Sequence, residues 1–148
     1  MNKLIEGWEL SPMYTVQSGA PLGFGNFIFY GDPTKIVLPR GERTIQRWFN
    51  TSGFEIDSRK QRQNAVVYTS TRFSGLRSAG LNFLDFSAMK KIHITERVSV
   101  DFRADFMNEL NHTVFNAPNT TPTSTTFGQI TSAVDVPRTI QFGFVGRF

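Results

Sequence analysis

Thr139–Phe148, TIQFGFVGRF, alternates without a break. Ile140, Phe142, Phe144, Gly146 and Phe148 share one face of an extended strand, and Thr139, Gln141, Gly143, Val145 and Arg147 share the other. The chain stops on the Phe148 ring, with no polar tail. Soluble strands rarely end in this way, whereas a strand that closes an outer-membrane barrel often does. The ten residues, at about 3.3 Å each and tilted by about 45°, cover a band about 25 Å tall, the height of a barrel's apolar belt.

Composition agrees with this. Hydrophobic residues make up 39% of the 148, and mean hydropathy is below zero. Purely apolar runs are only a few residues long, far short of the roughly 18 that a transmembrane helix requires. Barrel strands carry apolar residues at every second position, so their average hydropathy stays low. The 15 Phe residues are a heavy aromatic load for so polar a chain. Cysteine is absent, which excludes disulfide frameworks and Cys-based metal sites. A net charge of +4 suits contact with phosphate-bearing surfaces, or is simply a mildly basic solvated exterior.

Three further segments share the period of two. Trp8, Leu10, Pro12, Tyr14 and Val16 line one face of Trp8–Gln17, although Pro12 lacks a ladder donor and favours an edge or a bulge. In Asn82–Ile92, Leu84, Phe86, Ala88 and Ile92 face one way and Asp85, Ser87 and Lys91 the other. Lys90 lies on the apolar side near the strand end, where its stem can snorkel. Arg97–Met107 alternates most cleanly: Val98, Val100, Phe102, Ala104 and Phe106 against Ser99, Asp101, Arg103 and Asp105. A 3.6-residue period would scatter these apolar residues around a helix.

The connections are unequal. A tight turn around His93–Glu96 joins the second and third strands, whereas Ser18–Leu81 and Asn108–Arg138 are long and rich in Gly, Pro, Asn, Ser and Thr. Loops of such length are uncommon in compact soluble domains. Outer-membrane barrels have short periplasmic turns and long outer loops. The expected fold is therefore all-β: an antiparallel up-and-down meander of about four long strands (8–17, 82–92, 97–107 and 139–148), with long extracellular loops at 18–81 and 108–138. Within the first loop, Gly23–Tyr30 either extends the hairpin or forms a short strand of its own. Four strands cannot close a barrel, since the smallest have eight. MNKLIEGWEL is not a signal peptide, because Glu6 and Glu9 interrupt any apolar stretch. The expectation is a C-terminal fragment, residues 1–148, of a longer exported protein, with the plug and most of the barrel outside this sequence.

Asp85-Phe86-Ser87-Ala88-Met89-Lys90, Ile94-Thr95-Glu96-Arg97 and Phe102-Arg103-Ala104-Asp105-Phe106 occur in order, followed by Asn108, Asn111-His112 and Phe115. Gln17-Ser18-Gly19-Ala20-Pro21-Leu22, Arg47-Trp48-Phe49-Asn50, Phe127-Gly128-Gln129-Ile130-Thr131 and Pro137-Arg138 with Ile140-Gln141-Phe142 fit the same pattern. Together they resemble the C-terminal region of Oar-like TonB-dependent transporters, over nearly the whole chain. The resemblance implies a large outer-membrane barrel, an N-terminal plug, and contact with TonB through an N-terminal region that this sequence does not contain. The terminal strand resembles the signal read by the barrel-insertion machinery, which assigns that role to Phe142, Phe144 and Phe148. The implied surroundings are outer-membrane lipid, that machinery, and the rest of the barrel with its plug.

The best polar constellation is Asp85, Asp101, Arg103 and Asp105, expected to face the lumen as a hydrated charge ladder. A substrate or plug-gating role is one reading, and a set of structural salt bridges, each contributing little, is the other. No cleft marks a carboxylate pair for acid–base work, so no catalytic residue is expected. His93 and His112 fall at opposite ends of the fragment, which disfavours a two-His metal site. Gly23-Phe24-Gly25 lacks the Lys and the helix of a phosphate loop. No cofactor is expected. Lys35, Arg40, Arg43, Arg47, Arg59, Lys60 and Arg62 stand against Glu42, Glu55 and Asp57 in the first long loop, either to meet lipid phosphates or an anionic ligand or as a solvated surface. Arg47, Trp48 and Phe49 are candidate loop contacts for a ligand, with packing the favoured role of the two rings. Aromatics and charges occupy opposite faces, which argues against nucleic-acid binding. Asn50-Thr51-Ser52, Asn111-His112-Thr113 and Asn119-Thr120-Thr121 match glycosylation acceptors, which carry no meaning in a bacterial barrel. Two alternatives remain open: a soluble all-β module binding glycans or other ligands, and a truncated gene product without a function of its own.

Overall fold

A computed structural model describes residues 6–61, 71–134 and 136–148. Met1–Ile5 of the N-terminal stretch and Arg62 of the basic loop lie outside these residues. The strands are β1 (Trp8–Gln17), β2 (Pro21–Gly23), β3 (Arg72–Arg77), β4 (Leu81–His93), β5 (Ser99–Met107), β6 (Val114–Phe115), β7 (Ala133–Val134) and β8 (Thr139–Arg147). Short 3-10 turns occupy Pro33–Lys35, Arg40–Glu42 and Ser58–Lys60. The chain divides into two compact units. One comprises Met1–Gln17, Leu81–Thr113 and Asp135–Phe148, and the other Ser18–Gly80 and Val114–Val134.

The first unit is a four-stranded antiparallel sheet in the order β1-β4-β5-β8. This is the up-and-down meander that the alternation predicts. Paired residues share a face, so the register extends each strand's pattern across the sheet. One row reads Leu10, Ala88, Ala104 and Phe142, and the next reads Trp8, Lys90, Phe102 and Phe144. The strand bounds differ slightly from those read in the sequence. β4 is one residue longer at each end, and β5 begins at Ser99 because Arg97 and Val98 belong to the turn. There the Ile94 and Thr95 amides donate to the Val98 carbonyl (2.9 and 3.1 Å), and Thr95 Oγ1 accepts from the Arg97 and Val98 amides. β8 ends at Arg147, and Phe148 is fully exposed beyond it.

Backbone polarity explains Pro12. The Lys91 amide donates to the Gly7 carbonyl at 3.0 Å, so odd-numbered residues of β1 turn their backbone groups towards β4. Pro12 is even-numbered, so its missing N–H falls on the open edge and removes nothing from the β1–β4 ladder. The same alternation turns the backbone groups of Ile140, Phe142, Phe144 and Gly146 to the open edge of β8.

Both long connections begin and end at the sheet end opposite the 94–98 turn, since Gln17 pairs with Leu81 and Met107 with Thr139. Asn108 secures that end. It is 2% exposed and takes the left-handed conformation (φ 50°), which Asn tolerates better than most residues. Its amide donates to Asp85 Oδ1 at 2.9 Å. Its Nδ2 donates to the His112 and Val136 carbonyls, and its Oδ1 accepts from the His112 amide.

The second unit has its own core of buried Leu22, Phe24, Ile36, Phe49, Phe54 and Leu76. Phe24 contacts the rings of Phe27, Phe49, Phe54, Phe73 and Phe127, with centroids 5.4–6.4 Å apart. Such ring pairs add roughly 0.5–1.5 kcal/mol each beyond the area they bury. Strands β2 and β3 pair, as do β6 and β7, so the long loops contain strands that the alternation does not mark. Asn and Asp order the polar stretches through local turns. Asn119, for example, accepts from the Thr121 amide and donates to Ser124 Oγ and Thr126 Oγ1. The two chain segments are joined at Gly128, whose carbonyl accepts from the Trp48 amide (2.9 Å), and at Ile130, whose amide donates to the Ile45 carbonyl (2.7 Å). Gly128 has φ +81°, and a Cβ there would lie 2.6 Å from Thr51 Cγ2.

Two outcomes follow from this packing. Gly128→Ala should destabilise the loop unit by about 2–4 kcal/mol, combining left-handed strain with overpacking. In a Trp8→Phe background, thermal unfolding followed by Trp48 emission should shift to lower temperature, and an unchanged midpoint would refute the assignment. Asn108→Ala should cost about 1–2 kcal/mol, because it removes the side-chain hydrogen bonds of a buried Asn to the His112 amide and to the His112 and Val136 carbonyls. Faster amide exchange at His112 is the local signature, and wild-type protection there would sink the idea.

Candidate functional site

The polar face of the sheet brings the four expected residues to one side. Asp85, Asp101, Arg103 and Asp105 all occupy the odd register of β4 and β5. Arg103 Nε donates to the Asp105 carboxylate at 2.9 Å, and Ser87 Oγ donates to Asp105 Oδ1 across the strands at 2.6 Å. Asp85 instead accepts from the Asn108 amide, which gives it a structural task at the sheet end. Asp101 pairs with Arg147 Nη2 on β8 at 2.9 Å. Arg147 is a partner that sequence reasoning missed. Its face was legible, but the diagonal offset to Asp101 depends on register, which no local pattern reveals. Asp101 Oδ1 has no hydrogen-bond partner among the described residues. Among the described residues the face therefore holds two ion pairs and a hydroxyl bridge rather than one continuous ladder.

The opposite face is apolar and uncovered. Leu10, Tyr14, Phe142 and Phe144 are 59–71% exposed. Ala88 and Ala104 are buried beneath neighbouring side chains, and Phe102 packs against Phe142 and Phe144 with centroids 6.1 and 5.0 Å away. Lys90 Nζ sits 4.9 Å from the centre of the Trp8 ring, its cross-strand partner. This cation–π contact gives the one charge on the apolar side a ring to rest on, close to the strand end. Phe142 and Phe144 stand on this face, with Phe148 just past it.

In the loop unit, Arg47 is exposed, Trp48 half-buried and Phe49 enclosed. Phe49 packs against Phe24 and Phe127, and its ring has no free surface to offer a ligand. Trp48 Nε1 donates to the Arg77 carbonyl at 2.7 Å, which fixes the indole against β3. A separate groove of about 530 Å³ runs between 51–56 and 122–127, with Phe54, Ile56, Phe127, Thr51, Ser52 and Thr123 among its lining. The loop cations split into sets. Arg59 pairs with Asp57 at 2.9 Å and Lys60 with Glu55 at 3.8 Å. Hydrogen bonds from the Arg59 side chain and backbone hold the Asp57 carboxyl below its ordinary range. Lys35 lies near enough to Asp32 for its charge to act there. Arg40, Arg43 and Arg47 make no ion pair among the described residues. His93 and His112 stand at opposite ends of the β4–β5 pair. No group of three potential metal ligands comes together among the described residues.

A model of one protein family, described as an outer membrane beta barrel domain, matches residues 1–141. No curated protein and no solved structure matches the chain. No helix among the described residues is long and apolar enough to cross a membrane, which has no bearing on a chain that crosses with strands. A meander with one uncovered apolar face and one ion-paired face is what such a barrel wall requires. The chain belongs to the outer-membrane β-barrel domain family, and its sheet is part of a barrel wall in the outer membrane.

Proposed function

We propose that this sheet is the C-terminal wall of an Oar-like TonB-dependent transporter, contributing barrel closure and outer loops to the passage of a ligand. The observation that carries this reading is the joint order of the motifs, from Gln17-Ser18-Gly19-Ala20-Pro21-Leu22 to Ile140-Gln141-Phe142, on a membrane-barrel meander. The apolar face meets lipid, and the polar face looks towards a plug supplied by the remainder of the transporter. TonB acts through that plug region. The terminal strand is read by the barrel-insertion machinery through Phe142, Phe144 and Phe148. The chain has a wall and binding role, with no catalytic step. A soluble glycan-binding module is disfavoured by the exposed aromatic face, which water would penalise.

The short 94–98 turn lies at one end of the sheet and both long segments leave from the other. Barrels keep short turns on the periplasmic side, which directs the loop unit outwards. Coding sequence immediately upstream and in frame should specify a plug and further ten-residue alternating segments. Its absence would overturn the transporter reading and leave a truncated gene product in its place. Orientation has its own test, in the full-length barrel with any cysteine outside residues 1–148 replaced, since these residues contain none. Gly25 is exposed, and a Cβ there meets nothing within 4 Å. A Gly25→Cys variant should react with a membrane-impermeant maleimide on intact cells; protection until the cells are lysed would reverse the orientation. Deleting Phe148 from the full-length protein should lower the amount of assembled, heat-modifiable barrel severalfold, and unchanged assembly would remove that residue from the signal.

A further inference from the structure

The segment between buried Leu38 and buried Phe49 is a surface excursion fixed at both ends. Within it the Arg43 amide donates to the Arg40 carbonyl (3.4 Å), and Thr44 and Arg47 exchange backbone bonds (3.0 and 3.1 Å). Each closure keeps its end residues within about 7 Å, so no two of the three arginine Cα atoms are more than about 18 Å apart. The Ile45 carbonyl accepts from Ile130 and the Trp48 amide donates to Gly128, which ties the excursion to the second loop segment. Arg43 Nε donates to the Leu38 carbonyl at 2.7 Å, which orients its guanidinium. Glu42 is the one carboxylate in this stretch, and it pairs with none of the three among the described residues.

From this we infer that Arg40, Arg43 and Arg47 form a docking surface for a phosphate-bearing lipid headgroup of the outer leaflet. The inference rests on the outward orientation of the loop unit proposed above. Three features select this ligand. The three cations of this excursion are all arginines, whose planar forks match phosphate oxygens in bidentate fashion. Their backbone is fixed in advance, so binding orders side chains and little else. Ile45, 43% exposed in the same turn, sets an apolar contact beside the cations, which suits an amphiphile better than a free anion. The groove between 51–56 and 122–127 is lined by no charged side chain, so it does not compete for this ligand.

The probe is a bis-phosphorylated glycolipid in micelles of a neutral detergent, titrated against the full-length barrel protein that contains this chain, with the dephosphorylated glycolipid and inorganic pyrophosphate in parallel. Binding should weaken at least tenfold on dephosphorylation, weaken further with added salt, and fall at least tenfold in an Arg40→Gln/Arg43→Gln/Arg47→Gln variant. An Arg40→Gln/Arg47→Gln variant keeps the Arg43–Leu38 bond and should lose a substantial part of the affinity while retaining wild-type thermal unfolding. Arg59→Gln/Lys60→Gln alters the cations already paired and should bind as wild type. Equal affinity for the dephosphorylated glycolipid, or equal loss in the Arg59→Gln/Lys60→Gln control, would overturn the assignment. Pyrophosphate that displaces the glycolipid mole for mole would give the site to a soluble phosphate ligand instead. Cells labelled at Gly25→Cys whose protein shows no phosphate-dependent binding would refute the inference alone. Unlabelled cells would refute the orientation, and an outer-leaflet ligand with it.

Discussion

A backbone N–H or C=O inside a bilayer has no water to bond, so every one must find a protein partner. The order β1-β4-β5-β8 meets that demand at three ladders and leaves it unmet at two edges. At both edges the residues whose backbone groups point outwards are those of the apolar face: Trp8, Leu10, Tyr14 and Val16 on β1, and Ile140, Phe142, Phe144 and Gly146 on β8. Each unpaired group in hydrocarbon costs several kcal/mol. The sheet is therefore stable in a membrane only with further strands on either side. The two edges are not equivalent, because Pro12 leaves a gap in the donor row of β1 whereas β8 offers an unbroken one. Placing Pro12 in the outward register spares the β1–β4 ladder and moves the irregularity to the seam with a neighbour.

The same register explains how one short sequence satisfies two media. Directly paired residues share a face, so four separately alternating strands merge into one apolar and one polar surface. A slip of a single residue would exchange the faces of the slipped strand and set Asp101 and Arg103 among the phenylalanines. Ala88 and Ala104 lie side by side on the apolar face, with the Phe86–Phe106 pair two residues along the strands and Phe142 directly across from Ala104. On the polar face, Asp101–Arg147 ties β5 to β8, and Ser87–Asp105 ties β4 to β5. These wet contacts contribute little energy individually. Their value is that they favour one alignment of strands whose backbones would accept several.

The strands were legible because period-two alternation is a local signal, and in β1, β4, β5 and β8 it misplaces the ends by at most two residues. At β5 the error has a physical cause. Val98 continues the alternation, yet its carbonyl is engaged by Ile94 and Thr95 in the turn. Lys90 near a strand end was legible as a snorkelling residue, but its seat on Trp8 was not, since that contact spans more than eighty residues of sequence and exists only through the register. Arg147 escaped for the same reason. The stretch from Pro118 to Thr126 carries no alternation, yet it is ordered by the Asn119 side chain, a device that depends on hydroxyls lying near one amide rather than on any periodicity.

Aromatic content alone would have misjudged both units, because phenylalanine serves opposite ends in them. Phe24, Phe49 and Phe54 are at most 7% exposed, so the loop unit gains stability by withdrawing rings from water, the usual source of folding free energy. Phe142 and Phe144 are 63% and 71% exposed and, beyond their contact with Phe102, wait on lipid for their burial. The two units therefore answer to different solvents: one carries its own core, and the other borrows the bilayer as half of its core. A core built from Phe49 and Phe127, on separate segments of the chain, also makes the long connections cooperative with each other. That lets a loop present Arg40, Arg43 and Arg47 on a fixed backbone, where an unpacked loop of the same composition would scatter them.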